Sequence, residues 1–261
     1  MVSVSSLLMI AFNALAGIAV PVCLAMYLVR KYKVKLSTIL IGAGVFVVFA
    51  LVLESIMHQI VLKGPSGPAI MGNTLWYALY GGLAAGVFEE TGRFLAMKFL
   101  MKKEPSEVLP GIAYGVGHGG VEMFIIFGMT MVSNLAMALM INSGQVDSIV
   151  SQAPASSANL VQAQLDALQT TTAGTWLIGL WERISAIIIQ LSLSVLVWAA
   201  VRKGNKWFWL FPAAILLHAL VDASAVLLNK SVGMVPLELI ITAEAVVAGA
   251  IALLVAKKMK E

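Results

Sequence analysis

Long runs of apolar residues, broken by short polar connections, recur along this chain. A helix rises about 1.5 Å per residue, so roughly 20 apolar residues cross about 30 Å of hydrocarbon. Seven segments reach that length, near residues 5–29, 37–61, 74–100, 108–141, 175–201, 207–229 and 235–256. The pattern predicts an all-α, polytopic transmembrane bundle of about seven spans. The fourth segment is long enough to predict a tilt, a kink or a break. The longest loop, about 142–174, is rich in Ser, Gln, Ala and Thr and carries Pro154. Within it Leu160, Val161, Leu165 and Leu168 fall on one stripe of a short helix. That suits a surface segment on the outer leaflet, or a lid over a substrate path.

Composition narrows the class. Of 261 residues, 60% are hydrophobic and 11% charged, against about 25% charged in soluble domains. One membrane domain, 1–261, is the simplest division. Cys23 is the single cysteine, so an intrachain disulfide is excluded, and it reads as a small packing residue. No Lys or Arg precedes the first apolar run, which argues against a cleaved signal peptide.

The basic residues report topology. Arg30, Lys31, Lys33, Lys35, Lys98, Lys102, Lys103, Arg202, Lys203, Lys206, Lys257, Lys258 and Lys260 fall on one side of a seven-span arrangement. Lys63 and Lys230 fall on the other, and Arg93 and Arg183 lie inside spans. The positive-inside rule then places the N-terminus outside and the C-terminus in the cytoplasm. The net charge of +4 belongs to these loops and gives no sign of nucleic-acid binding. Trp176, Trp181, Trp207 and Trp209, near span ends, suit the interfacial aromatic belt.

Ionisable residues interrupt the apolar runs. They are Glu89 and Glu90 in GVFEETGRF, His118 and Glu122 in GVGHGGVEMF, and His218 and Asp222 in LLHALVDAS. Each such residue costs about 2.5–3.5 kcal/mol at a helix centre on the insertion scale. Counting from the basic ends of their spans, Glu89, His118 and His218 all lie roughly 15–18 Å deep, which predicts a shared cavity. His118 with Glu122, and His218 with Asp222, are one helical turn apart and share a face. Glu90 and Arg93 are spaced to neutralise one another, leaving Glu89 the freer carboxylate. Gly82 and Gly86, then Gly111, Gly115 and Gly119, have the spacing that lets membrane helices approach closely.

Other polar residues read as structural. His58 lies near an outer edge as a hydrogen-bonded core residue. Glu54 or Glu182 pairs with Arg183 in the outer half. Glu244 in the last span is either protonated or lines the same cavity. Gln190 sits at the depth of the histidines, where a neutral amide makes a poor zinc ligand.

Glu89-Glu90-Thr91-Gly92-Arg93, Tyr114-Gly115-Val116-Gly117-His118 and His218-Ala219-Leu220-Val221-Asp222 together resemble the CAAX-protease and bacteriocin-processing (CPBP, Abi) superfamily. The whole-chain pattern is most similar to the YhfC-like intramembrane metalloproteases. Two departures stand out: two residues, not three, separate Glu90 from Arg93, and Gln190 stands where relatives often have a histidine. The resemblance implies an integral protein of a prokaryotic cell membrane that hydrolyses peptide bonds with a glutamate-activated water. It points to Glu89, Glu90, His118 and His218 as catalytic, with Arg93, Glu122, Asp222 and Gln190 in support. Zinc held by His118, His218 and Glu122 is one version, and metal-free activation of the water is the other. The implied substrate is a membrane-anchored or lipid-modified peptide, arriving laterally or from the cytoplasmic side. Two rival classes stay open: an ion- or proton-coupled transporter, and a non-catalytic scaffold. Oligomeric state is not legible.

Overall fold

The computed structural model describes residues 1–261 apart from 153, 155 and 230, and of 147–149 the backbone only. The side assigned to Lys230 therefore lies outside the described residues. Ten helices carry the fold among the described residues: α1 (Val4–Tyr32), α2 (Leu36–Lys63), α3 (Gly67–Met71), α4 (Thr74–Phe99), α5 (Leu109–Asn142), α6 (Val146–Gln152), α7 (Ala158–Thr170), α8 (Ala173–Lys203), α9 (Leu210–Leu228) and α10 (Met234–Met259). No strand occurs among the described residues. The protein is thus an all-α membrane protein.

Among the described residues six helices are long and apolar enough to cross a membrane: α1, α2, α5, α8, the Asn205–Leu228 stretch that contains α9, and α10. The seventh run of the sequence count, α4, has 26 residues but carries Glu89, Glu90 and Arg93. These charges keep its hydropathy down while its length, about 39 Å, still suffices. Local signals set its bounds. Asn73 caps it, accepting from the backbone N–H of Leu75 at 2.9 Å and of Trp76 at 3.1 Å. Lys98 sits in its last turn, where a cation suits the helix dipole.

Two long helices contain stretches of π-helix. In α2 it covers Val47–Glu54, and in α5 Met123–Met129. The second falls in the fourth run, whose length predicted a tilt, a kink or a break; the first had no sequence signal. Each stretch abuts an acid, ending at Glu54 or starting just after Glu122. The loop expected at 142–174 contains α6 and α7. Of its predicted apolar stripe, Leu165 and Leu168 are buried, whereas Leu160 is exposed.

The backbone falls into two compact units, residues 1–20 with 123–183, and residues 21–122 with 184–261. In the first, Asn13 Nδ2 donates to the Trp176 carbonyl at 2.6 Å and Ser6 Oγ to the Thr171 carbonyl at 2.9 Å. Arg183 pairs with its neighbour Glu182.

The second unit holds every candidate site residue. There α4 and α9 run antiparallel at backbone contact. A Cβ on Gly82 would meet the Ala219 carbonyl, and one on Gly86 would lie 2.6 Å from the Ile215 carbonyl oxygen. The glycine stripe of α5 faces α8. A Cβ on Gly111, Gly115 or Gly119 would lie 2.7 Å from Trp198 Cβ, 2.8 Å from Ser194 Oγ and 2.9 Å from Gln190 Cβ respectively. Small residues therefore bring four helices within side-chain reach of one axis. At one end of this unit Arg202 donates to the Glu104 carbonyl at 2.8 Å, and Lys35 pairs with the Glu104 side chain at 2.8 Å. Connections that the charge pattern put on one side of the membrane thus meet in space.

Candidate active site

The site forms where α4, α5, α8 and α9 converge. Glu89 and Glu90 are consecutive on α4, so their side chains leave the helix about 100° apart. That divergence gives each carboxylate its own imidazole. His118 Nε2 donates to Glu89 Oε2 at 2.8 Å, and His218 Nδ1 to Glu90 Oε1 at 2.8 Å. Glu90, Arg93 and His118 are fully buried, with Glu89 and His218 nearly so. Glu89, His118 and His218, which the depth count put at one level, do meet in one cluster, with His218 bonded by Glu90.

Arg93 and Gln190 join the two pairs. Arg93 Nε lies 3.2 Å from Glu90 Oε2, the ion pair that the spacing predicts. Its Nη1 donates to the Gln190 carbonyl at 2.8 Å and to Ser194 Oγ at 2.7 Å, and its Nη2 to Gln190 Oε1 at 2.5 Å. The Gln190 amide turns its Nε2 to the acids, donating to Glu89 Oε2 at 3.2 Å and Glu122 Oε2 at 2.8 Å. Guanidinium only donates and carboxylate only accepts, so these neighbours fix which way the amide points. Asp222 stands at the edge, its Oδ2 3.7 Å from His218 Nε2. The result is one polar chain: Asp222, His218, Glu90, Arg93, Gln190, Glu89, His118.

Aromatic rings wall the His118 end. Tyr114 stacks on His118 with ring centroids 5.9 Å apart, and Phe46 meets it edge-on at 5.2 Å. His118 Nδ1 is buried without a hydrogen-bond partner among the described residues. Because Nε2 serves the carboxylate, Nδ1 is a bare lone pair that can accept from one more donor.

Zinc suits these donor types, and a catalytic zinc takes three protein donors with a water. Among the described residues no group of three or more His, Cys, Asp or Glu side chains could hold a metal ion. The donors are engaged pairwise: His118 by Glu89, His218 by Glu90, and Glu122 by the Gln190 amide. Nδ1 of His118 supplies one nitrogen where three donors are needed. The expected set of His118, His218 and Glu122 is not brought together.

Sequence reasoning missed Ser194, which accepts from Arg93 Nη1. Ser194 lies one turn beyond Gln190 on the same face of α8, which was the available signal. Of the two acids open to Arg183, Glu182 pairs with it, and Glu54 bonds His58: His58 Nε2 lies 3.1 Å from Glu54 Oε1 and His58 Nδ1 2.8 Å from Tyr80 Oη. Glu244 accepts from Ser224 Oγ at 3.0 and 3.1 Å, tying α10 to α9.

Fold and site together define a polytopic membrane protein with a buried carboxylate–imidazole core. The chain belongs to the YhfC intramembrane metalloprotease family, whose model matches residues 16–247. It is 38% identical over 234 residues to the uncharacterized membrane protein YhfC of Bacillus subtilis (strain 168), a match covering 89% of this chain and 88% of that one. No solved structure matches. Membership makes this an integral membrane protein, and the Bacillus relative accords with a bacterial membrane.

Proposed function

We propose that the protein is an intramembrane endopeptidase that hydrolyses membrane-anchored or lipid-modified peptides. The observation that carries this reading is the 2.8 Å bond between His118 Nε2 and Glu89 Oε2, buried inside a membrane bundle. Both bonds to Glu89, from His118 and from Gln190, fall on Oε2. Oε1 is then the oxygen that takes a proton from water. The hydroxide so formed attacks the scissile carbonyl, and a C–O bond forms. His218, an imidazolium held by Glu90 at Nδ1 and facing Asp222 at Nε2, donates its Nε2–H to the developing oxyanion. When the C–N bond breaks, Glu89 returns its proton to the leaving amine, so the carboxylate is restored. Arg93 and Gln190 hold the two acid–imidazole pairs in register. Low dielectric strengthens each of these interactions. The family's name, intramembrane metalloprotease, supports peptide hydrolysis, and the proposed step uses the chain's own groups.

Co-expression with membrane-anchored candidate peptides tests the reading. A cleavage fragment that disappears in Glu89→Gln and in His118→Ala supports it. Solute flux in proteoliposomes without any fragment would move the protein to the ion- or proton-coupled carriers. Binding of membrane peptides with neither outcome would make it a scaffold.

A further inference from the structure

Hydrolysis inside a bilayer consumes water, so the site needs an aqueous path. The burial of the polar chain is lopsided. Side-chain exposure is zero at Glu90, Arg93 and His118, and rises to 41% at Asp222. Beyond Arg93, toward Lys98 and Arg202, the way is closed. Met97, Met101, Leu193 and Trp198 are all buried there, in one apolar cluster. Asp222 lies six residues before the end of α9, roughly 9 Å in from Leu228. A carboxylate exposed at that depth faces water, because acyl chains cannot solvate it.

A second polar group stands on the same side. The antiparallel contacts of Gly82 and Gly86 with residues 215–223 put Tyr80 level with the Asp222 turn. Tyr80 Oη lies 2.8 Å from His58 Nδ1, and His58 Nε2 3.1 Å from Glu54 Oε1. Exposure falls inward along this group, from 33% at the His58 side chain to 11% at Glu54. Glu54 lies nine residues from Lys63, roughly 13 Å inside the helix end. A pair that merely anchored a helix end would sit at the rim, whereas Glu54 lies roughly 13 Å inside it and is largely buried. The π-helical stretch that ends at Glu54 marks the same spot, and such stretches recur at functional sites.

We infer that water reaches Glu89 from the end of the unit opposite the C-terminus, through an entrance lined by Glu54, His58 and Asp222. The inference rests on the hydrolytic reading, but its test needs no substrate. In a Cys23→Ser background, single cysteines at His58, Asp222 and Met97 are treated with a membrane-impermeant thiosulfonate. Intact cells and inverted vesicles are compared, and a tag on the C-terminus identifies the face. His58→Cys and Asp222→Cys should label from the face opposite the tag, and Met97→Cys from neither. Labelling of His58→Cys and Asp222→Cys from the tagged face alone, or of Met97→Cys from that face, would overturn the entrance. For variants that do not fold, unsubstituted protein treated with a water-soluble carbodiimide and an amine gives the second readout. Glu54 and Asp222 should gain the amine's mass and Glu90 should not; equal protection of Glu54 and Glu90 contradicts the proposal. Loss of cleavage in Glu89→Gln with labelling from the wrong face would leave hydrolysis standing and remove only the entrance.

Discussion

At the scale of single residues, Arg93 carries the largest structural burden. It pairs with Glu90 at 3.2 Å and donates to Gln190 and Ser194 with no exposure of its own side chain. Removing one partner of a buried pair leaves the other charge uncompensated, at a cost of about 3–5 kcal/mol. Arg93→Leu should therefore lower thermal stability in detergent by that order. Arg93→Lys should recover only part of it, because an ammonium cannot fork to two acceptors at the guanidinium positions. Melting curves of the two variants check both statements. Gln190 shows where residue type misled. A zinc-centred view made its neutral amide a defect; the structure uses that neutrality. An amide can accept from Arg93 and donate to Glu89 and Glu122 at once, which an imidazole cannot do.

Elements explain how these side chains come to meet. The sequence revealed the apolar runs, their order and the glycine stripes, because length and small-residue spacing are local properties. It also revealed the Glu90–Arg93 pair, which lies within one turn. Partners across helices were less legible. Glu54 and Glu182 were both open as partners of Arg183; Glu182 takes that place and Glu54 bonds His58, a choice the sequence could not make because helix rotation leaves no mark in an apolar run. The π-helical stretch in α2 was hidden for the same reason. Close packing of α4 on α9 offers a test. Gly82→Leu would push against the Ala219 backbone and draw Glu90 away from His218, so stability and cleavage should fall together. A methyl group at Gly81 would meet nothing within 4 Å, and Gly81→Ala should be neutral or raise stability by up to about 1 kcal/mol. Equal loss in both variants would mean that the Gly82 contact does not set the site.

For the whole molecule, family membership and the helical architecture fix an integral membrane protein, and the proposed chemistry rests on one polar chain across four helices. The pairwise engagement of His118, His218 and Glu122 predicts that chelation with a strong zinc ligand leaves cleavage intact. Restoration of chelated protein by added zinc would require a ligand set that forms only on binding. Fold and family are thus separable from mechanism, and the proposed mechanism turns on Glu89. The most direct measurement compares wild type with Glu89→Gln in proteoliposomes containing one cleaved peptide. The new terminus is read by mass spectrometry, and folding is matched by melting temperature. Loss of a general base predicts a rate lower by about 10²–10⁴-fold. An unchanged rate in folded, inserted Glu89→Gln would contradict the account.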